Sequence, residues 1–148
     1  MIFYKKFEIV SVSWGFPLNL IPDESYMYKE EIERFFGINI GVEFSNDFKE
    51  KEIRHMGIIL SNNFLNERGN SVLVAPITSL TNKHKEQHKN KVILYKKDFK
   101  FLDNDSVIIL NKIRELDKTR IKKHIAFIDS TEIKNKINDR MKYTFMLK

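Results

Sequence analysis

Ser106-Val107-Ile108-Ile109-Leu110, set between Asp105 and Asn111, is an uncharged run dominated by β-branched side chains. It is too short and too uniformly apolar for an amphipathic surface helix, so it reads as a buried strand. Working outward, the same signal recurs. Gly57-Ile58-Ile59-Leu60-Ser61 and Ser71-Val72-Leu73-Val74-Ala75-Pro76-Ile77 are apolar runs joined across Asn62-Asn63 to Gly69-Asn70, which predicts two paired core strands with a loop between them. Lys91-Val92-Ile93-Leu94-Tyr95 and Ile125-Ala126-Phe127-Ile128 add further strands. Toward the N-terminus, Phe7-Glu8-Ile9-Val10-Ser11-Val12-Ser13-Trp14 alternates as a half-buried strand does, and Gly15 and Pro17 end it.

Two segments read as helices. Pro22-Asp23-Glu24-Ser25 supplies a helix start, Tyr28, Ile32, Phe35 and Phe36 an apolar stripe, and Gly37 a stop. Near the C-terminus, Asp129 and Ser130 can cap a helix whose Ile133, Ile137, Met141 and Phe145 recur every four residues. Strands, an inserted helix, more strands and a terminal helix predict a β-rich α+β fold, a small barrel with helical decoration.

The 148 residues are the length of one domain, and 42% hydrophobic with 31% charged residues lies in the globular range. With no cysteine, disulfide frameworks and thiolate metal sites are excluded. The opening Met1-Ile2-Phe3-Tyr4-Lys5-Lys6 lacks the apolar run of a signal peptide, and no segment has membrane-spanning length, so a cytoplasmic protein without membrane contact is expected. The net charge of +6 is unevenly placed. Residues 1–82 hold 8 Lys/Arg against 11 Asp/Glu, and residues 83–148 hold 18 against 9. A basic half is the sequence form of a polyanion-binding face, since each neutralised phosphate releases counterions; a Lys-rich solvated surface is the plainer alternative. His84 and His88 share a helical spacing, but neither a third ligand nor a zinc-protease glutamate accompanies them, and no metal site is expected. Gly-rich phosphate loops, nucleophile elbows and dinucleotide fingerprints are also missing from the chain.

Several blocks together resemble the MazF/PemK toxin family. Gly37-Ile38-Asn39-Ile40-Gly41-Val42-Glu43-Phe44-Ser45 is similar to the family's loop after strand one, with Val42 where Ser is common. Arg54 to Asn62 resembles its second strand, and Val74-Ala75-Pro76-Ile77-Thr78-Ser79 its third. The fullest likeness runs from Asp105 to Ile121, where Lys112 stands in the place of a frequent Gln. The resemblance covers roughly 7–15 and 37–145, leaving about 16–36 as an insertion in a single 1–148 domain. It implies a twisted SH3-like barrel, MazF/CcdB-like, with an inserted helix after strand 1 and a C-terminal amphipathic helix. It also implies a homodimer, a cognate antitoxin as partner, and metal-independent cleavage of single-stranded RNA without a cofactor.

Such cleavage proceeds by attack of the ribose 2′-hydroxyl on the adjacent phosphorus. It needs a base, an acid for the leaving oxygen and donors for the charged phosphoryl group. In the resembled family an Arg opening strand two and a Thr ending strand three fill these roles; the matching positions are His55 and Thr78, with Arg54 and Ser79 beside them. An imidazole titrating near neutrality can serve as base or acid. Strand alternation admits only one of Arg54 and His55 to the site. Lys112, Arg114, Lys118 and Arg120, with Lys83 in the loop after strand three, are the candidates for RNA phosphates. Two other readings remain open at this point. The same barrel can poison a protein target, gripping it through Tyr143, Phe145 and Met146, or bind nucleic acid without cutting it.

Overall fold

The computed structural model describes residues 4–13, 54–80 and 90–145. Seven strands alternate with short helices: β1 Glu8–Ser13, β2 Arg54–Ile59, α1 Asn63–Arg68, β3 Ser71–Ser79, β4 Lys91–Leu94, β5 Ser106–Ile109, β6 Arg114–Asp117, β7 Ile121–Phe127 and α2 Thr131–Thr144. All pairings are antiparallel, in the order β4-β5-β3-β2-β1-β7, with β6 also on β3. This is the β-rich sheet with a terminal helix that the apolar runs predicted. The inserted helix at 16–36 and the loop at 37–45 lie outside the described residues.

β3 organises the sheet. On one edge it pairs β2 through Gly57–Pro76, Ile58–Ala75 and Ile59–Val74. On the other, its first half pairs β6 up to Val74–Arg114 and its second half pairs β5 from Ile77–Ile108. β5 and β6 are thus one strand broken by the 3-10 turn Leu110–Lys112. The break falls opposite Ala75 and Pro76, and Pro76 has no N–H with which to continue a ladder.

The main core lies on one face, where Ile9, Ile58, Ala75, Ile77, Val92, Leu94, Ile108 and Leu110 meet Ile137 of α2. α2 begins as the sequence indicates, with the Ser130 hydroxyl accepting from the Ile133 N–H at 3.2 Å. The stripe Ile133, Ile137 and Met141 packs inward, whereas Phe145 ends the helix half-exposed.

The expected loop between β2 and β3 is instead α1. Asn62 caps it by accepting from Leu65 N–H at 2.9 Å, and the buried Asn66 amide donates to the Ser61 carbonyl at 2.9 Å. Six residues are too few for an apolar stripe, so the cap and one buried amide decide the conformation rather than periodicity. A second irregularity precedes β1. Phe7 sits at φ 72, a left-handed value that is unusual for a bulky residue. It is held there by Phe7 N–H to Ile59 at 2.6 Å and Ile128 N–H to Phe7 at 3.1 Å.

Candidate functional site

The β2–β3 ladder stops at Gly57–Pro76. Beyond it β2 stays with β1, through Val12–His55 and Ser13–Arg54, while β3 turns to β5 through Thr78–Val107 and Ser79–Ser106. The two strands therefore form a fork, with His55 and Thr78 each two residues past the last shared pair. His55 partly closes it, for its imidazole hydrogen-bonds the main chain of Ile77, the neighbour of Thr78. The two candidates set 23 positions apart in sequence thus meet as the prongs of one crevice.

Burial in this crevice pushes the His55 imidazole down to about 4, and the hydrogen bond with Ile77 offsets only part of that loss. The expectation of an imidazole titrating near neutrality is corrected on this ground: His55 is neutral at pH 7. A ring N–H donated to a main-chain oxygen leaves the other nitrogen in the acceptor form, which fixes the tautomer. Thr78 is 1% exposed, and no hydrogen-bond partner reaches its hydroxyl among the described residues. A buried hydroxyl in that condition has lost water without replacement, and a ligand oxygen brought to it would restore the bond.

Ser79 and Arg54 stand differently. Ser79 is one residue beyond Thr78, hence on the opposite face of β3, exposed and paired with Ser106. Arg54 pairs with Ser13 at the same alternate parity, and its side chain lies outside what the structure describes. The Ser13 hydroxyl, absent from the sequence-based candidates, is buried and like Thr78 meets no hydrogen-bond partner among the described residues. Nothing in a single alternating strand distinguishes it from Ser11.

The basic candidates gather along the interrupted strand. Lys112 closes the 3-10 turn after β5, and Arg114 opens β6 opposite Val74. Lys118 and Arg120 bound a second 3-10 turn, which Asp117 caps by accepting from Thr119 N–H at 2.9 Å. Partial burial and the nearby positive charge of Arg120 lower the pKa of Arg114. Thr78 and Val74 share strand parity, so Arg114 flanks the same face of β3 as Thr78, about 13 Å further along. Lys83, His84 and His88 lie outside the described residues. Among those described, no helix is long and apolar enough to cross a membrane.

Residues 40–144 match the model of a family described as PemK-like, MazF-like toxins of type II toxin–antitoxin systems. The chain belongs to the PemK/MazF toxin family. Over 76 residues it is 40% identical to endoribonuclease MazF of Staphylococcus epidermidis, a match that covers 51% of this chain and 61% of that relative. Among solved structures it resembles a mycobacterial endoribonuclease in complex with its cognate antitoxin, at TM-score 0.62 and 13% identity, over 98% of this chain and 97% of that one. MazF from Deinococcus radiodurans matches at TM-score 0.60 and 13% identity, covering 99% of both chains. At such identities these structures establish the PemK/MazF fold, the twisted barrel-like sheet expected above.

Proposed function

We propose that this PemK/MazF-family chain is an endoribonuclease toxin that cuts single-stranded RNA without a metal. The fork carries the reading: a neutral, tautomer-fixed imidazole stands beside a buried threonine hydroxyl that meets no hydrogen-bond partner among the described residues. In the proposed reaction the acceptor nitrogen of His55 takes the proton of the 2′-hydroxyl as its oxygen attacks phosphorus. The P–O5′ bond breaks, the leaving 5′-oxygen takes a proton from water, and His55 gives its proton back to the solvent, leaving a 2′,3′-cyclic phosphate and a 5′-hydroxyl. The Thr78 hydroxyl donates to a non-bridging phosphoryl oxygen, where negative charge grows in the transition state. Lys112, Arg114, Lys118 and Arg120 hold flanking phosphates, and binding that polyanion beside His55 raises its basicity from the depressed value of the free protein. Arg54 and Ser79, at the alternate parity, are assigned supporting places outside the reacting centre.

The likeness to an antitoxin-bound endoribonuclease supports a cognate antitoxin as the neutralising partner, and family membership supports a homodimer acting in the cytoplasm. The 148 residues are assigned to one domain, with 16–36 as its insertion. The test is incubation of the purified full chain with end-labelled mixed-sequence RNA in excess EDTA. Discrete products ending in a 2′,3′-cyclic phosphate are expected, and they should disappear with His55→Gln. Intact RNA after incubation with a folded protein, or cleavage only after a divalent cation is restored, overturns the proposal.

A further inference from the structure

The rows of the sheet continue past Thr78 to a rim that the proposed chemistry does not use. Thr78, Val107 and Ile93 stand abreast on β3, β5 and β4, and all three are buried. The next row on the same face, two residues further from the last shared pair of the fork, is Leu80, Asp105 and Tyr95. Leu80 N–H donates to the Asp105 carbonyl at 2.8 Å, and its side chain packs on Ile93 and Val107. Tyr95 follows β4 with extended backbone, so its ring returns to the face of Ile93. Here the face opens: Leu80 is partly buried, Asp105 is exposed and Tyr95 is 39% exposed. Register places Tyr95 about 10 Å from Thr78 across the sheet and about 7 Å along it.

Hydrogen bonds fix this rim. Asp105 Oδ1 accepts from Lys96 N–H at 2.8 Å, and Asp98 N–H donates to the Tyr95 carbonyl at 3.0 Å as the 3-10 turn Lys96–Asp98 begins. The Lys97 ammonium lies 5.8 Å from the centre of the Tyr95 ring. A carboxylate has about four acceptor sites on its two oxygens, so Asp105 can take a donor besides Lys96. From Tyr95 to Asp105 three lysines are offset by three aspartates, so this connection holds no excess charge with which to attract a phosphate chain. A ring, one cation beside it and a carboxylate on the next strand instead match a single unpaired nucleobase. The ring stacks on it, and the carboxylate accepts from an exocyclic amine, which adenine, cytosine and guanine carry and uracil lacks. The place of this rim, one row from Thr78, favours RNA over a protein partner.

We infer that Tyr95 and Asp105 form a base-reading subsite for a nucleotide near the cut, selecting an amine-bearing base over uracil. This rests on the RNA-cutting reading above, but its test reads binding rather than cutting. Affinity of the full chain is measured for uncleavable 2′-deoxy strands of equal length that carry adenine, cytosine, uracil or no base. The adenine and cytosine strands should bind more tightly than the uracil strand, and the abasic strand most weakly, although the phosphates are the same. Tyr95→Leu should reduce the gain given by bases, roughly fivefold to a hundredfold, and Tyr95→Phe should keep it, which separates stacking from a folding defect. Asp105→Asn keeps an oxygen for Lys96 N–H but replaces the other acceptor with a donor, so the preference over uracil should vanish or reverse. The subsite is overturned if the abasic strand binds as tightly as the others, if the base-dependent gain survives Tyr95→Leu, or if a preference over uracil is missing from the parent or unchanged in Asp105→Asn. A gain that survives Tyr95→Leu leaves the rim to a protein partner instead. Base-dependent binding by a chain that cuts no RNA would sustain the subsite and overturn only the cleavage reading.

Discussion

Acid should weaken this protein through His55 in a way that a single substitution exposes. The imidazole is held at about 4 in the folded chain, against 6.5 for an exposed one. Above pH 6.5 neither state protonates it, and its neutral burial costs nothing extra. As the pH falls below 6.5 the unfolded chain takes up a proton that the folded chain refuses, and stability drops by about 1.4 kcal/mol per pH unit. The loss reaches about 2 kcal/mol at pH 5 and roughly 3 kcal/mol near pH 4, below which both states are protonated and the effect levels off. Against a typical total of about 5–15 kcal/mol, that is a large share. The assay is urea unfolding of the parent and His55→Gln from pH 7 to 4, at one fixed protein concentration because an oligomer's stability depends on it. Glutamine keeps an N–H donor for Ile77 and does not titrate in this range. Carboxylates titrate in both proteins and cancel in the difference. Between pH 7 and 5 the variant should gain about 2 kcal/mol relative to the parent. A difference that stays flat across the window refutes the desolvated imidazole.

Thr78→Ala should leave the unfolding free energy within about 1 kcal/mol of the parent, since its hydroxyl has no bond to lose among the described residues, while single-turnover RNA cleavage falls roughly tenfold to a thousandfold. Parental cleavage by the folded variant would remove Thr78 from the chemistry. Ser130→Ala deletes the cap of α2 and should cost about 1 kcal/mol in thermal or urea unfolding, with cleavage unchanged at temperatures where the protein stays folded. If Lys112, Arg114, Lys118 and Arg120 all meet phosphates, the logarithm of affinity for uncleavable RNA should fall with log salt at a slope of about −3, or about fiftyfold for a fourfold rise in salt. A titration showing flat affinity would make these residues a solvated surface.

Much of the fold was legible because burial writes itself as β-branched runs: Val107 to Ile109 and Ile58 to Ile59 are strands on that ground alone. The last helix was legible twice, in its four-residue stripe and in Ser130. α1 was not, because six residues around an Asn cap carry no period. The site divides similarly. The resemblance singled out His55 and Thr78, but their meeting depends on β3 exchanging one partner strand for another at Pro76, a choice made by the whole sheet. The depressed His55 pKa was illegible for the same reason, since desolvation belongs to the crevice and no stretch of sequence states it. Ser79, adjacent in the chain, was carried along with Thr78 and proves to face the other way.

The pairing of β1 with β7 bears on when the protein becomes able to act. Glu8, at the start of β1, joins His124 of β7 at 2.9 Å across 116 positions, and Ile128 closes onto Phe7. A chain emerging from the ribosome therefore makes β2, α1 and β3 from neighbouring residues, yet β1, which flanks His55, must wait for a strand more than a hundred positions later before it gains its second neighbour. Under the proposed RNA-cutting reading, β7 then acts as a timer, since the crevice is not finished until that strand has been made.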